Sequence, residues 1–290
     1  MKNSIKLFFY TVLIFLAWGC SNVKNENNQF YNGYTLVWAD EFNNAGKPDT
    51  SVWGYELGLI RNHEAQFYTK DTGNIRIENG NLVIETRIEK VANPQYGIVD
   101  PDKPWLKWVA EVDTAKYTSG SIYTKGEATW KYGIIEVRAK LPEGVGLWPA
   151  IWMLGENCNE AGWPLCGEID IMEHVGFEKD SIFGTVHTDA FNHTKGTQKG
   201  RKVYVQNPYT EYHLYSIKWT KDYIEFYLDN KSYFRFDNVK KSVKEWPFDQ
   251  KFNLKLNIAV GGMLGGRKGI DDTVFPQKML IDYVRIYQKN

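Results

Sequence analysis

Three acids carry the chemistry this chain offers: Glu168, Asp170 and Glu173, within Gly167-Glu168-Ile169-Asp170-Ile171-Met172-Glu173-His174. Glu168 and Asp170 alternate with Ile169 and Ile171, so in a β-strand the acids share one face and the isoleucines the other. Glu173 lies an odd number of residues after Glu168 and falls on the isoleucine face of an unbroken strand. One extra residue, a β-bulge around Ile171-Met172, returns it to the face of the other two acids. Three carboxylates in a row repel, so at least one holds a proton near neutral pH. A carboxylate beside a protonated carboxyl, about 5–5.5 Å apart, suits double-displacement cleavage of a sugar acetal. One group attacks the anomeric carbon and the other protonates the leaving oxygen. Asp170, between them, hydrogen-bonds the nucleophile and separates the charges. The competing reading of these eight residues is a solvent-facing acidic edge strand.

Such a row needs a rigid sheet beneath it. Residues 34–39, 74–78, 82–87, 133–141, 212–219, 223–229, 232–236, 253–260 and 279–287 alternate or run apolar, with Gly, Asn or Pro between them. The runs 223–229 and 232–236, joined by Asn230-Lys231, form a hairpin candidate. No window carries a sustained helical stripe, and no linker or repeat breaks residues 34–288. The pattern predicts an all-β fold of two packed antiparallel sheets, one domain over residues 34–290. Residues 91–110 depart from it: Pro-rich, with Trp105 and Trp108, they read as a long surface loop.

The 290 residues include 11 Trp, 18 Tyr and 15 Phe, enough to fill a sandwich core and line a sugar-binding cleft as well. The formal net charge is zero, which gives no electrostatic case for nucleic acid or an anionic membrane and argues against a strongly sulfated polysaccharide. At the N-terminus Lys2 and Lys6 precede an apolar run from Leu7 to Trp18, followed by Gly19-Cys20. This resembles the lipobox of bacterial lipoproteins. It implies a signal peptide over 1–19, lipidation of Cys20, a polar tether over 20–33 and attachment to the cell envelope at the outer membrane. An ordinary secretory signal or a short membrane anchor is the alternative. Cys158 and Cys166 bracket a Gly/Pro-containing loop before the acids; export permits a disulfide between them, and two independent thiols is the other reading.

Trp148 and Trp152, four apart in an extended segment, share a face. Alone they read as core as readily as sugar platforms. Their setting, Gly146-Leu147-Trp148-Pro149-Ala150-Ile151-Trp152-Met153-Leu154, with the acidic stretch and Gly184-Thr185-Val186-His187-Thr188, resembles glycoside hydrolase family 16, in its laminarinase-like subgroup. The resemblance runs from about Leu36 to Tyr287. It implies a β-jelly-roll sandwich, concanavalin-like, with a substrate groove on the concave sheet. It further implies a retaining endo-β-glucanase cutting β-1,3-glucan or mixed-linkage β-1,3/1,4-glucan, with Glu168 as nucleophile, Glu173 as acid and base, and Asp170 assisting. The expected division is a depressed pKa on the nucleophile and a raised one on the acid.

By the same resemblance Trp148 and Trp152 line the groove, His187 lies near the carboxylates, and Asn62 and Arg87 contact sugar. Asn257 reaches the groove before the flexible Gly261–Gly266 loop, and Trp163 is a further lip residue. A structural calcium is implied at Glu41, Gly80 and Asp282, and no cofactor for catalysis. The implied partner is a β-glucan, with a membrane reached only through the lipid, and the protein is expected to be a monomer. An agarase- or carrageenase-type hydrolase and a non-catalytic glycan-binding lipoprotein are the alternatives.

Overall fold

The structure, a computed structural model, describes residues 30–126 and 128–289. The signal segment, Cys20 and the tether up to residue 29 lie outside the described residues. The strands in chain order are β1 (Tyr34–Asp40), β2 (Trp53–Tyr55), β3 (Gln66–Tyr68), β4 (Ile75–Glu78), β5 (Asn81–Ala92), β6 (Thr114–Ser119), β7 (Ser121–Thr124), β8 (Gly133–Lys140) and β9 (Leu147–Gly155). They continue with β10 (Glu168–Glu173), β11 (Ser181–His187), β12 (Lys199–Tyr204), β13 (His213–Trp219), β14 (Tyr223–Leu228), β15 (Lys231–Asp237), β16 (Phe252–Val260) and β17 (Gln277–Lys289).

They form two sheets. The 10-stranded sheet runs β15-β14-β13-β8-β17-β5-β6-β3, with β1 on β17 and β4 on β5; the 7-stranded sheet runs β12-β11-β10-β9-β16-β7-β2. One apolar core fills the space between them. Ile151, Met153, Ile169, Leu254 and Leu256 from the smaller sheet meet Ile135, Val137, Tyr215, Ile217 and Ile281 from the larger. The alternation of β9 and β16 follows: every second side chain enters this core, and the rest line the open face of the smaller sheet.

The structure moves some expected boundaries. Phe30 and Tyr31, assigned to the tether, pack edge-on against each other, Phe30 also against Tyr227 and Tyr31 against Tyr287. The hairpin turn is Asp229-Asn230, one residue earlier than expected. Both have positive φ, and Leu228 faces Lys231 across it. Residues 91–110 are not all loop. β5 continues to Ala92, and a 3-10 helix spans Pro104–Glu111. That helix tucks Val109 against Leu59 and Ala115, while Trp105 stays 66% exposed.

β10 carries the expected bulge. Against β9, Glu168 lies opposite Leu154 and Asp170 opposite Trp152; the register then slips, so that Met172 lies opposite Ile151 and Glu173 opposite Ala150. Without the slip Glu173 would face Pro149, on the core-facing parity of β9. The slip also appears against β11, where Asp170 faces Thr185 and Glu173 faces Phe183. Consecutive Ile171 and Met172 both enter the core, which stabilises the irregularity by roughly 1.5–3 kcal/mol for each side chain. At the entrance to β10, Gly167 has φ +79°, and a Cβ there would sit 2.7 Å from Pro247 Cγ. Only glycine fits that approach.

Candidate active site

The bulge sets Glu168, Asp170 and Glu173 along one face, each glutamate with its own indole donor. Trp163 Nε1 donates to Glu168 Oε2 at 3.1 Å, and Trp148 Nε1 donates to Glu173 Oε1 at 2.9 Å. His187, opposite Glu168 on β11, has Nε2 at 3.4 Å from Asp170 Oδ2 and 3.7 Å from Glu168 Oε1. Asp170 is buried, and its Oδ2 has no hydrogen-bond partner.

Burial raises the Glu168 carboxyl to about 7, with repulsion from Glu173 adding to it. The Trp163 N–H and the positive charges of Arg61 and Lys255 oppose the rise. Burial likewise lifts Glu173 to about 7, opposed by the Trp148 N–H. Asp170 is held well above the ordinary carboxylate range by burial and by both neighbours. The expected depressed nucleophile is not what the free protein has: both glutamates are lifted. What separates them is environment, since Arg61 and Lys255 act on Glu168. His187 is lowered to about 4 by burial and by His193, so it is neutral at pH 7.

Beside the acids lies a set of paired charges. Arg61 forks onto Glu56 with contacts of 3.0 and 2.7 Å, and Lys255 donates to Oε1, the oxygen that also accepts from Arg61 Nη1. These cations hold Glu56 well below its usual range against the effect of burial. The Arg61 guanidinium and the Lys255 ammonium lie 5.0 and 4.9 Å from the Trp152 ring centre. A cavity of about 420 Å³ opens here, lined in part by Tyr55, Arg61, Tyr123, Leu154 and Lys255.

The other expected site residues divide. Trp148 is half-buried on the open face beside Glu173. Trp152 shares that face but is only 9% exposed, its N–H donated to Asn257 Oδ1 at 2.8 Å. Asn257 in turn donates to the Tyr68 hydroxyl at 3.1 Å, so its amide is committed to holding Trp152 rather than free for sugar. Asn62 turns the chain at φ 56°. Its amide donates to Glu64 at 3.2 Å, and its carbonyl accepts from the Met263 N–H of the glycine loop at 2.9 Å.

Arg87 is not at the site. It lies on β5 of the larger sheet, on the parity opposite to core residues Leu82 and Ile84, and pairs with Glu85 at 2.7 Å. The calcium ligands do not fit an ion either. Asp282, the one necessary carboxylate, is 2.6 Å from the Arg138 guanidinium, and Glu41 forks onto Arg285 at 2.7 and 2.9 Å, while Gly80 only turns the β4–β5 hairpin. A cation already holds the charge that would attract calcium. Among the described residues, Glu168, Asp170 and His187 have metal-ligand spacing, their ligand atoms within 4.8 Å of one another. They belong to the acidic row and its histidine neighbour already described.

Cys158 and Cys166 are bridged. Sequence reasoning missed Glu56, Arg61 and Lys255. The signal for Lys255 was present in Leu254-Lys255-Leu256-Asn257-Ile258, whose alternation puts Lys255 and Asn257 on the open face. Glu56 and Arg61 lie outside the strands and leave no periodic trace.

A β-sandwich bearing a buried row of three carboxyl groups, its two glutamates each held by an indole donor, defines a sugar-cleaving hydrolase. Comparison with known proteins gives its kind. The chain belongs to the glycosyl hydrolases family 16, whose family model matches residues 64–285. It is 42% identical over 291 residues to a beta-glucanase of Rhodothermus marinus, covering 97% of this chain and 93% of that one. Among crystal structures, it is similar to a non-specific endo-β-1,3(4)-glucanase of the same family, with TM-score 0.78, 45% identity and coverage of 89% and 92%. A mutant of that enzyme presents 1,3-β-D-cellobiosyl-glucose at its active site; it matches with TM-score 0.77, 44% identity and coverage of 88% and 95%. The chemistry of this family needs no catalytic cofactor.

Proposed function

We propose that the protein is a retaining endo-β-glucanase that cleaves β-1,3-glucan and mixed-linkage β-1,3/1,4-glucan. In the first step Glu168 attacks the anomeric carbon while Glu173 gives its proton to the glycosidic oxygen; the bond to the leaving chain breaks, and a glycosyl ester forms on Glu168. In the second, water enters, Glu173 takes its proton, the hydroxyl adds to the anomeric carbon and the ester breaks. Two inversions leave the configuration retained, and Glu173 ends protonated as it began. Asp170, lifted by burial and by both glutamates, assists by limiting the negative charge beside the attacking group.

The observation that carries this reading is the register slip that sets Glu173 opposite Ala150, on the face of Glu168. The sugar preference draws support from the relatives: a beta-glucanase and a non-specific endo-β-1,3(4)-glucanase. The test is product analysis on laminarin, barley β-glucan and agarose. Oligosaccharides released from the first two with retained β-anomers, and none from agarose, are expected; release from agarose alone contradicts the reading.

The same proposal includes export, lipidation at Cys20, attachment at the outer membrane and action as a monomer. Its support is the Lys2/Lys6, apolar and Gly19-Cys20 pattern. Radiolabelled palmitate should label the full chain and not Cys20→Ser; equal labelling of both removes the lipid reading.

A further inference from the structure

We propose that the Cys158–Cys166 disulfide holds Trp163 in place as a positioning residue for Glu168, so that the loop closed by the bridge belongs to the catalytic apparatus. The inference rests on the nucleophile assigned above. The two indole donors are held differently. Trp148, which serves Glu173, is part of β9 and is fixed by the sheet, paired with Ala259 of β16 and two residues from the Ala150–Glu173 pair with β10. Trp163, which serves Glu168 at 3.1 Å, projects from a loop and is 37% exposed, so burial does not fix it.

The loop itself is the fixing element. Cys158 begins a single helical turn ending at Ala161, and Gly162 follows with φ +75° and its N–H on Cys158 O at 3.0 Å. Cys166 N–H returns to Gly162 O at 3.0 Å, and Gly167 N–H to Pro164 O at 3.1 Å. The Cys166 end is anchored: the residue is buried, accepts from Gln250 Nε2 at 2.9 Å and stands two residues before Glu168. The bridge ties the far end of the loop to that anchor, with Trp163 at the crown. Beyond the loop, Trp163 meets the rings of His193 at 5.0 Å and His187 at 6.0 Å.

An N–H donor favours the ionised form of the carboxylate that accepts it. The charged and titratable groups facing Glu168 are Asp170 and Glu173 on its own strand, His187 on β11, Lys255 on β16 and Arg61. Removing the Trp163 donor leaves burial and the Glu173 charge opposed by the two cations alone. The acidic limb of the rate profile, where Glu168 must give up its proton, then moves to higher pH. The alkaline limb, where Glu173 must keep its proton, stays.

The test compares kcat/KM against pH on laminarihexaose for the wild type, Trp163→Phe, and an unbridged enzyme made both as Cys158→Ser/Cys166→Ser and by treating folded wild type with dithiothreitol. Melting curves establish that each sample is folded. The expected result is an acidic limb raised by about half a pH unit or more in every altered form, equivalent to about a threefold loss of rate on that limb. The loss should fall in kcat more than in KM. An acidic limb that stays with the wild type, a loss confined to KM, or a shift in Trp163→Phe without one in the unbridged enzyme overturns the proposal. Glu168→Gln separates the two readings. If that variant keeps its turnover, the nucleophile assignment fails; if it is inactive while Trp163→Phe keeps the wild-type limb, only the loop inference fails.

Discussion

Two groups of buried charge stand side by side on the open face of the smaller sheet, and they are built on opposite rules. Around Glu56, one carboxylate meets two cations, Arg61 and Lys255, and stays ionised despite burial. Along β10, three carboxylates meet one another, two indole N–H groups and a neutral histidine, and burial lifts all three. The first arrangement is satisfied and structural. The second is frustrated, and its two glutamates sit near the pH at which protons must move, which is where acid–base chemistry works best. Trp152 joins them, its ring under both cations and its strand position opposite Asp170. The paired group thus supplies a fixed positive field that distinguishes Glu168 from its partner acid.

Breaking the frustrated row should have the largest effect on activity. Glu168→Gln is expected to lower turnover on laminarin by roughly 10³-fold or more while leaving glucan binding intact, as removal of a covalent nucleophile does. Initial rates and isothermal titration would read the two separately. Breaking the paired group should instead strike stability. Arg61→Ala leaves Glu56 with Lys255 as its one cation, beside the Ser121 hydroxyl, and should cost roughly 3 kcal/mol in urea unfolding. An unchanged midpoint would mean that the pair is not structural.

A smaller effect distinguishes the two by sign. Glu173 titrates near 4.5 when unfolded and near 7 when folded, so the native state binds the extra proton between those values. Its favourable contribution is complete below about pH 4.5 and is lost as pH rises through 7. Glu173→Gln should therefore be more stable than the wild type at pH 8, by on the order of 1–2 kcal/mol, with the gain vanishing near pH 4. A gain equal at both pH values would remove the electrostatic account. The smallest expected effect is none: with Asp282 already paired to Arg138, the melting temperature should be the same in chelator and in calcium. A rise in calcium would show that this pairing yields to the ion.

How far the sequence was legible follows from periodicity. The parity of Glu168, Asp170 and Glu173 against their isoleucines demanded the bulge, and the long alternating strands came out within a few residues of their positions. The short strands β2, β3, β6 and β7, of three to six residues, did not, because they hold too few alternations to stand out from loop. β12 was hidden by its charged, edge-strand composition, Lys199-Gly-Arg-Lys-Val-Tyr204. Arg87 was assigned to sugar by likeness, although its own strand pattern puts it with Glu85, away from Leu82 and Ile84. Trp163 was visible only as a lip residue, since nothing in a loop sequence says which carboxylate its N–H will reach.

The central claim is that a bulge turns Glu173 toward Glu168, which then takes the sugar. Incubation with a 2-deoxy-2-fluoro β-glucosyl oligosaccharide bearing an activated leaving group, followed by peptide mass mapping, tests it directly. One fluorosugar per chain, attached to Glu168, is the predicted result. Attachment to Glu173, or turnover with inversion and no covalent label, would contradict it.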